Sequence, residues 1–448
     1  MSDLLSIGAS GLRAYQSALT TVSDNIANSA TPGYSRRAVQ LAENASTNGV
    51  LAQERSTVGN GVAIVGVQRL SDELRNSSVR ASGADLARTE SSITWMARIE
   101  GALTGNQLGS RIADFFNSAK AVAADPTSSP ARTGMLEAAT SAATAFQTTA
   151  RALEQVNTDL DQTADGAVDR INQLGAMLAK INEGLGRTPP NTTSQAQLFD
   201  QRDAALTELS ALTDITVTFT NGGRVDVAIG GPTGPKLVDR VTSGTLSYVR
   251  NASGAVSFAM LLSGQSAIAS PGGGALAGIA EGAQRIADAR NQLDAIATGF
   301  VTGVNDVQAQ GRDLDGNPGA PMFAAGATPA SFTLALTNPR GIAAAAVGGG
   351  PRDNGNFANL QAMRAAGGFE AAATSLIADN AATLAGRRLV AEAQTAIHDG
   401  AITARDQVSG VNLDTEAVEL LRFQQAYQAS SKVIQIARDT LQTLLNVN

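Results

Sequence analysis

LSIGASGLRAYQSALTTVSDNIANSATPGYSRR, residues 5–37, decides the fold. Leu5, Gly8, Leu12, Tyr15, Leu19, Val22 and Ile26 recur at spacings of three and four, which is the seam of a heptad helix. Near the finish Leu420, Phe423, Tyr427, Ser430, Ile434, Ala437, Leu441 and Leu444 repeat the same spacing, so the two ends are expected to pair as a coiled coil. A solution coiled coil flanks its seam with charges, yet residues 1–30 hold only Asp3, Arg13 and Asp24. The remaining faces of this helix therefore call for burial too. One short helix cannot supply neighbours on every side, so other copies of the chain are expected to do so. The first helix stops at Asn28-Ser-Ala-Thr-Pro-Gly-Tyr34, where Pro32 fixes its own φ and Gly33 accepts a positive one. That is a type II turn, read as a hinge at Pro32 and Gly33.

Working inward, residues 35–80 alternate loosely, with GVAIVGVQRL at 61–70 the best strand. Helical periodicity runs from Ala84 to Ala123 with a break near Thr104-Gly-Asn106. Ser129-Pro130 supplies an N-cap and a first-turn proline for a helix reaching Arg187, roughly 85 Å if unbroken, with Gly166 and Gly175 as kink positions. A further helix spans Ala196 to Leu212. Hairpins follow around Asn221-Gly222-Gly223 and Ser253-Gly254, and the Gly-rich run at 270–274 closes this β insert. Helix resumes from Leu276 to Gly311, a short strand is read at 331–336, and residues from Phe357 onward are helical. The fold class is mainly α with a β insert. An elongated chain is expected, with residues 1–40 and 405–448 as a terminal coiled-coil domain. Residues 41–213 with 280–404 form a long-helix bundle domain, and 214–279 a small antiparallel β domain whose removal the helical body should tolerate.

Composition excludes whole classes of function. The 448 residues contain no cysteine and one histidine, His398, which removes disulfides, thiolate catalysis and cysteine-built metal centres. Charged residues are 16%, and 33 basic against 40 acidic side chains leave a net charge of -7, unlike a phosphate-coating nucleic-acid binder. The N-terminus lacks the basic cluster and long apolar run of a cleavable secretory signal. The longest uncharged interval, 251–280, is too rich in Ser and Gly to span a membrane. Export, if it occurs, is expected to read an uncleaved N-terminus.

Catalytic templates fail in turn. There is no phosphate-binding P-loop, no G-x-S-x-G elbow and no H-E-x-x-H pair. Asp313-Leu-Asp-Gly-Asn317 begins like a calcium loop, but Pro318 occupies the position that needs glycine and Ala324 that of the closing glutamate, so a tight turn is expected. Asp200 and Asp203 share a helix face, and the dipole at the first turn of their helix accounts for them without a cation. His398 reads as a polar residue on a late helix. No catalytic, cofactor or metal site is assigned.

The opening stretch, with Ala27-Asn28 and Thr31-Pro32-Gly33-Tyr34, resembles the N-terminal signature of bacterial flagellar rod, hook and hook-associated proteins. VSGVNLDTEAVELLRFQQAYQASSKVIQIARDTLQTLLNVN at 408–448 is similar to the matching C-terminal signature. FFNSAKAVAADPTSSPAR at 115–132, LFDQRDAALTELSAL at 198–212 and the stretch 289–323 narrow the likeness to the hook-associated protein 1 family. The resemblance implies a non-enzymatic adaptor between hook and filament, located in the flagellum outside the cell. It implies export through the type III export apparatus with an export chaperone, and self-assembly into a ring or helical turn. The hook protein and the second hook–filament junction protein are its implied partners. Rod or hook proteins share the two ends but not the interior stretches, and a flagellum-associated enzyme would need paired acids in a cleft. Residues 324–352 form a short connection where longer members carry a second insert.

Overall fold

The computed structural model describes residues 2–44, 61–251, 254–324, 326 and 328–445, with side chains from 4 to 443 within those stretches. Ser253 of the second expected turn lies outside the described residues, as does the side chain of Leu444. The chain is mainly helical, with small antiparallel sheets.

Helix α1 (Ser2–Ala27) ends at the expected turn. Gly33 sits at φ +80°, and the Tyr34 amide donates to the Thr31 carbonyl at 3.2 Å. β1 (Arg37–Glu43) then pairs antiparallel with β2 (Val62–Arg69) across a bulge at Gln40/Leu41. Helix α2 (Glu73–Thr104) begins well before Ala84, so the extended reading of residues 73–80 is overturned. The cause is Asp72, an N-cap whose carboxylate accepts from the Leu74 and Arg75 amides at 2.9 and 3.4 Å.

After α3 (Leu108–Ala124), the long helix α4 (Ser129–Arg187) runs for 59 residues. Ser128, one residue ahead of the cap expected, accepts from the Ala131 amide, and Pro130 lies in the first turn. The helix passes through Gly166 and Gly175 without a break. At Gly175 the missing side chain has a packing reason, since a methyl group there would lie 3.1 Å from Leu237 Cγ.

Helix α5 (Thr193–Leu212) leads into the β unit. Its first sheet is β3 (Ile215–Phe219), β4 (Val225–Ile229), β5 (Lys236–Asp239) and β6 (Thr242–Ser243), in that order. The second is β7 (Thr245–Arg250), β8 (Val256–Leu262) and β9 (Gln265–Ala269). The Asn221–Gly223 turn joins β3 to β4 with both glycines at positive φ, as its sequence requires. Helix α6 (Gly274–Gln310) returns to the body. The strand read at 331–336 shrinks to β11 (Thr333–Leu334), paired with β10 (Phe323–Ala324). α7 (Asn356–Gly367), α8 (Phe369–Ser409) and α9 (Leu413–Leu445) complete the chain.

One continuous apolar core joins α2–α7, the β unit and the start of α8, from Trp95 to Leu376. Phe300 is its centre, with Phe115, Phe116 and Phe369 edge-on at 5.3, 5.9 and 5.8 Å between ring centroids. Among the described residues none of α1 or α9 belongs to this core. The terminal helices pair with each other instead, as their common period requires.

Candidate assembly surface and its junction with the body

The terminal pair meets on small residues. Gly8, Gly11, Ala14, Ala18, Thr21, Val22 and Asn25 are the buried face of α1. A methyl group on Gly8 would stand 2.6 Å from Ile434 Cγ1, and one on Gly11 would stand 2.8 Å from Ser430 Oγ. Leu5, Leu12, Tyr15, Leu19 and Ile26, expected on the seam itself, flank it half-buried, and of the large residues named only Val22 is buried. On α9, Leu420, Phe423 and Ile434 are half-buried toward α1, whereas Tyr427 and Leu441 are exposed. Tyr15 and Phe423 bring their rings to 6.4 Å. On α9 the expected stripe meets α1 through Ser430 and Ile434, whereas on α1 the buried face keeps Gly8 and Val22 and is offset toward Gly11, Ala14 and Ala18, because the helices approach most closely where side chains are small or absent.

The opposite face of α9 is the more telling one. Val418 and Ile436 are each 64% exposed and Leu421 59%, on a helix whose other side already has a partner. Fully burying such a side chain is worth about 1.5–3 kcal/mol, so this face can drive association once a neighbour covers it.

At the foot of the pair the chain is tied down by polar groups. The Asn25 side-chain amide donates to the Arg37 carbonyl at 2.8 Å and to Glu416 Oε2 at 2.9 Å. Its oxygen accepts from the Arg37 amide at 3.0 Å and from the Tyr34 hydroxyl at 2.8 Å. Glu416, 0% exposed, also accepts from Arg36 Nε at 2.5 Å. Burial pushes the Tyr34 hydroxyl up to about 12, against the pull of Arg37 and with the carboxylates of Asp24, Asp200 and Glu416 adding to it. Pro32 and Gly33 are exposed at the tip of this loop.

Asp200 and Asp203 belong to the same junction. Asp200 binds Arg37 Nη2 at 2.9 Å and Arg69 Nε at 2.7 Å, while Asp203 binds Arg69 Nη2 at 2.8 Å and Arg202 Nη2 at 2.7 Å. The helix-dipole explanation is overturned, since α5 starts at Thr193 and both acids lie beyond its first turn. Arginines answer them.

Among the described residues no group of His, Asp and Glu could hold a metal ion, and no helix is long and apolar enough to cross a membrane. Asp313 closes a tight turn by accepting from the Asp315 and Asn317 amides at 2.9 and 2.8 Å. His398 packs α8 on α2, its Nδ1 lying 3.0 Å from Ser82 Oγ.

Comparison with known families adds the decisive observation. The flagellar hook-associated protein FlgK helical domain family matches residues 96–323, half of the chain. This chain belongs to the FlgK family. Its ends match two further flagellar families, the basal body rod protein family at residues 5–34 and the basal body rod FlgEFG C-terminal family at 405–447. Flagellar hook-associated protein 1 of Escherichia coli K12 is 27% identical over 349 residues, covering 73% of this chain and 60% of that relative. The chain thus spans less than two thirds of the E. coli relative's length. The Bacillus subtilis 168 protein of the same name is 24% identical over 490 residues, covering 97% of this chain and 96% of its own. The hook junction protein FlgK of Burkholderia pseudomallei superposes with a TM-score of 0.50 at 25% identity, over 56% of this chain and 47% of that one. By that membership the chain is a structural protein of the bacterial flagellum.

Proposed function

We propose that this chain assembles at the distal end of the hook and joins hook to filament. The observation that carries the reading is the combination of a FlgK-type helical body with two ends of basal-body rod type, paired into one helical rod. The outer face of α9, with Val418, Leu421 and Ile436, is taken as the contact with neighbouring copies, which close into a ring or helical turn. Hook protein lies on one side and the second junction protein on the other. An export chaperone and the type III apparatus deliver the chain beforehand. In this reading 1–40 with 405–448 form the assembling core, 41–213 with 280–404 the long-helix domain and 214–279 the β domain, with Pro32 and Gly33 at the hinge.

A rod- or hook-type role draws support from the two ends alone. Electron microscopy of flagella from a strain lacking the protein separates the two: hooks without filaments support the junction, and absence of hooks supports the rod or hook reading. Complementation with Ile436→Asp, which leaves the α1–α9 contact untouched, should secrete the protein without restoring filaments.

A further inference from the structure

The junction between the terminal pair and the body contains almost no apolar packing. The continuous core stops at Trp95 on one side and Leu376 on the other. What is buried at the junction is polar: Asn25, Ser35, Arg37, Arg202, Asp203, Ser409 and Glu416. Two open hollows, of about 460 and 1150 Å³, flank the Thr31–Tyr34 loop where it faces α5. Arg37 and Asp200 line the first, and Arg69 and Asp203 the second. The hydrophobic effect is non-directional and could not fix an angle here even if more of it were present.

Ion pairs act differently. Arg37 and Arg69 come from the β1–β2 hairpin, which continues the terminal pair, while Asp200, Arg202 and Asp203 come from α5 of the body. Arg69 donates through Nε to Asp200 and sets Nη2 2.8 Å from Asp203 Oδ2 as an ion pair, and Arg37 donates through Nη2 to Asp200 as a second hold. One carboxylate accepting from two planar guanidinium groups, with a second carboxylate one helical turn along as counter-charge, leaves little freedom to rotate. Buried ion pairs contribute little net stability, because desolvation offsets attraction, and geometric specification is their best-attested use. We propose that the Arg37/Arg69–Asp200/Asp203 cluster is an orientation clasp. It fixes the angle at which the terminal helix pair stands on the helical body, and opening it lets the pair swing without unfolding either part. Glu416, held by Arg36 and Asn25, keeps α1, α9 and the hairpin together as the moving unit.

The chain contains no cysteine, so spin labels can be placed cleanly at Gln16→Cys on the exposed side of α1 and Gln162→Cys on the exposed side of α4. Electron–electron double resonance on the full-length protein should give one narrow distance peak, which Asp200→Asn with Asp203→Asn spreads into a broad distribution while the cooperative melt of the body persists. An unchanged narrow peak overturns the clasp. Where the double variant loses its cooperative melt, Arg69→Lys replaces it, keeping the charge and losing the fork. Partial broadening in Arg69→Lys supports the proposal and an unaltered peak refutes it. Asp161→Asn, which severs the ties of Arg250 and Tyr248 on the β unit, is the control. Equal broadening in that control would also overturn the clasp.

Discussion

Gly8 of α1 lies directly beneath Ile434 of α9, with no room for even a methyl group between the two helices. The contact shows how a pair with little flanking charge is held in register: backbone approaches backbone, and the flanking large residues close over the seam. Gly8→Val should wedge the helices apart. Overpacking of this kind costs about 1–3 kcal/mol. Calorimetry should show a lower-melting terminal transition with the body's transition unmoved.

Ile434→Asp attacks the same contact from the other side. A polar group placed there without a partner costs about 1–3 kcal/mol, so the α1–α9 pair should loosen within a single chain, before any assembly. Ile436→Asp, two residues on but facing outward, should leave the pair's thermal stability within about 0.5 kcal/mol of the parent. Equal destabilisation by both would contradict the assignment of the two faces.

Tyr34 makes the junction sensitive to alkali. Its folded-state pKa of about 12 lies above the ordinary 10.0, so the unfolded chain loses the proton first. The sign follows: the contribution is complete below about pH 10 and is lost as pH rises toward 12. Stability to urea measured across that interval should fall more steeply for the parent than for Tyr34→Phe.

Helix period, the β hairpin at Asn221–Gly223 and the Pro32–Gly33 turn were legible because each depends on neighbours within a few residues. The offset of the α1 stripe was not, since period fixes a stripe only to within a residue and a rule favouring large apolar residues passes over Gly11, Ala14 and Ala18. The junction was hidden for another reason. Arg37 and Asp200 are 163 residues apart and Asn25 and Glu416 are 391 apart, so no local pattern joins them. One signal was available. In a chain only 16% charged, a helix carrying Asp200, Arg202 and Asp203 within four positions implies charged partners elsewhere.

Arg132 closes the connection between α6 and α7. It is 1% exposed and donates through Nε to the Pro126 carbonyl at 2.6 Å and through Nη1 to the Ile342 carbonyl at 2.8 Å. Burial lowers its pKa, with Arg340 nearby adding to the effect. Arg132→Met removes the charge and leaves the Pro126 carbonyl without this donor, while the Ile342 carbonyl keeps only the Ala344 amide at 3.0 Å, a loss that costs about 1–3 kcal/mol. Urea denaturation should register the loss, and hydrogen exchange should rise first around residues 339–345.

The β unit was expected to be dispensable to the helical body, and its contacts with α4 argue otherwise. Val225, Val227, Ile229, Leu237, Leu246 and Phe258 lie in the same continuous core as Ile171, Leu174 and Leu178 of α4. Asn172 and Asn182 of α4 each form a pair of hydrogen bonds with strand backbone, to Leu246 and Val225 respectively. Gly175 sits between them with Leu237 pressed onto its bare backbone. Replacing residues 214–273 with a Gly/Ser linker would therefore expose an apolar stripe on α4 and unpair both asparagines. Hydrogen exchange along residues 161–187 should accelerate strongly, while the Phe300 cluster, whose ring partners Phe115, Phe116, Phe146 and Phe369 lie outside the β unit, keeps its protection. Unaltered exchange over 161–187 in the deletion would show that α4 needs no cover there.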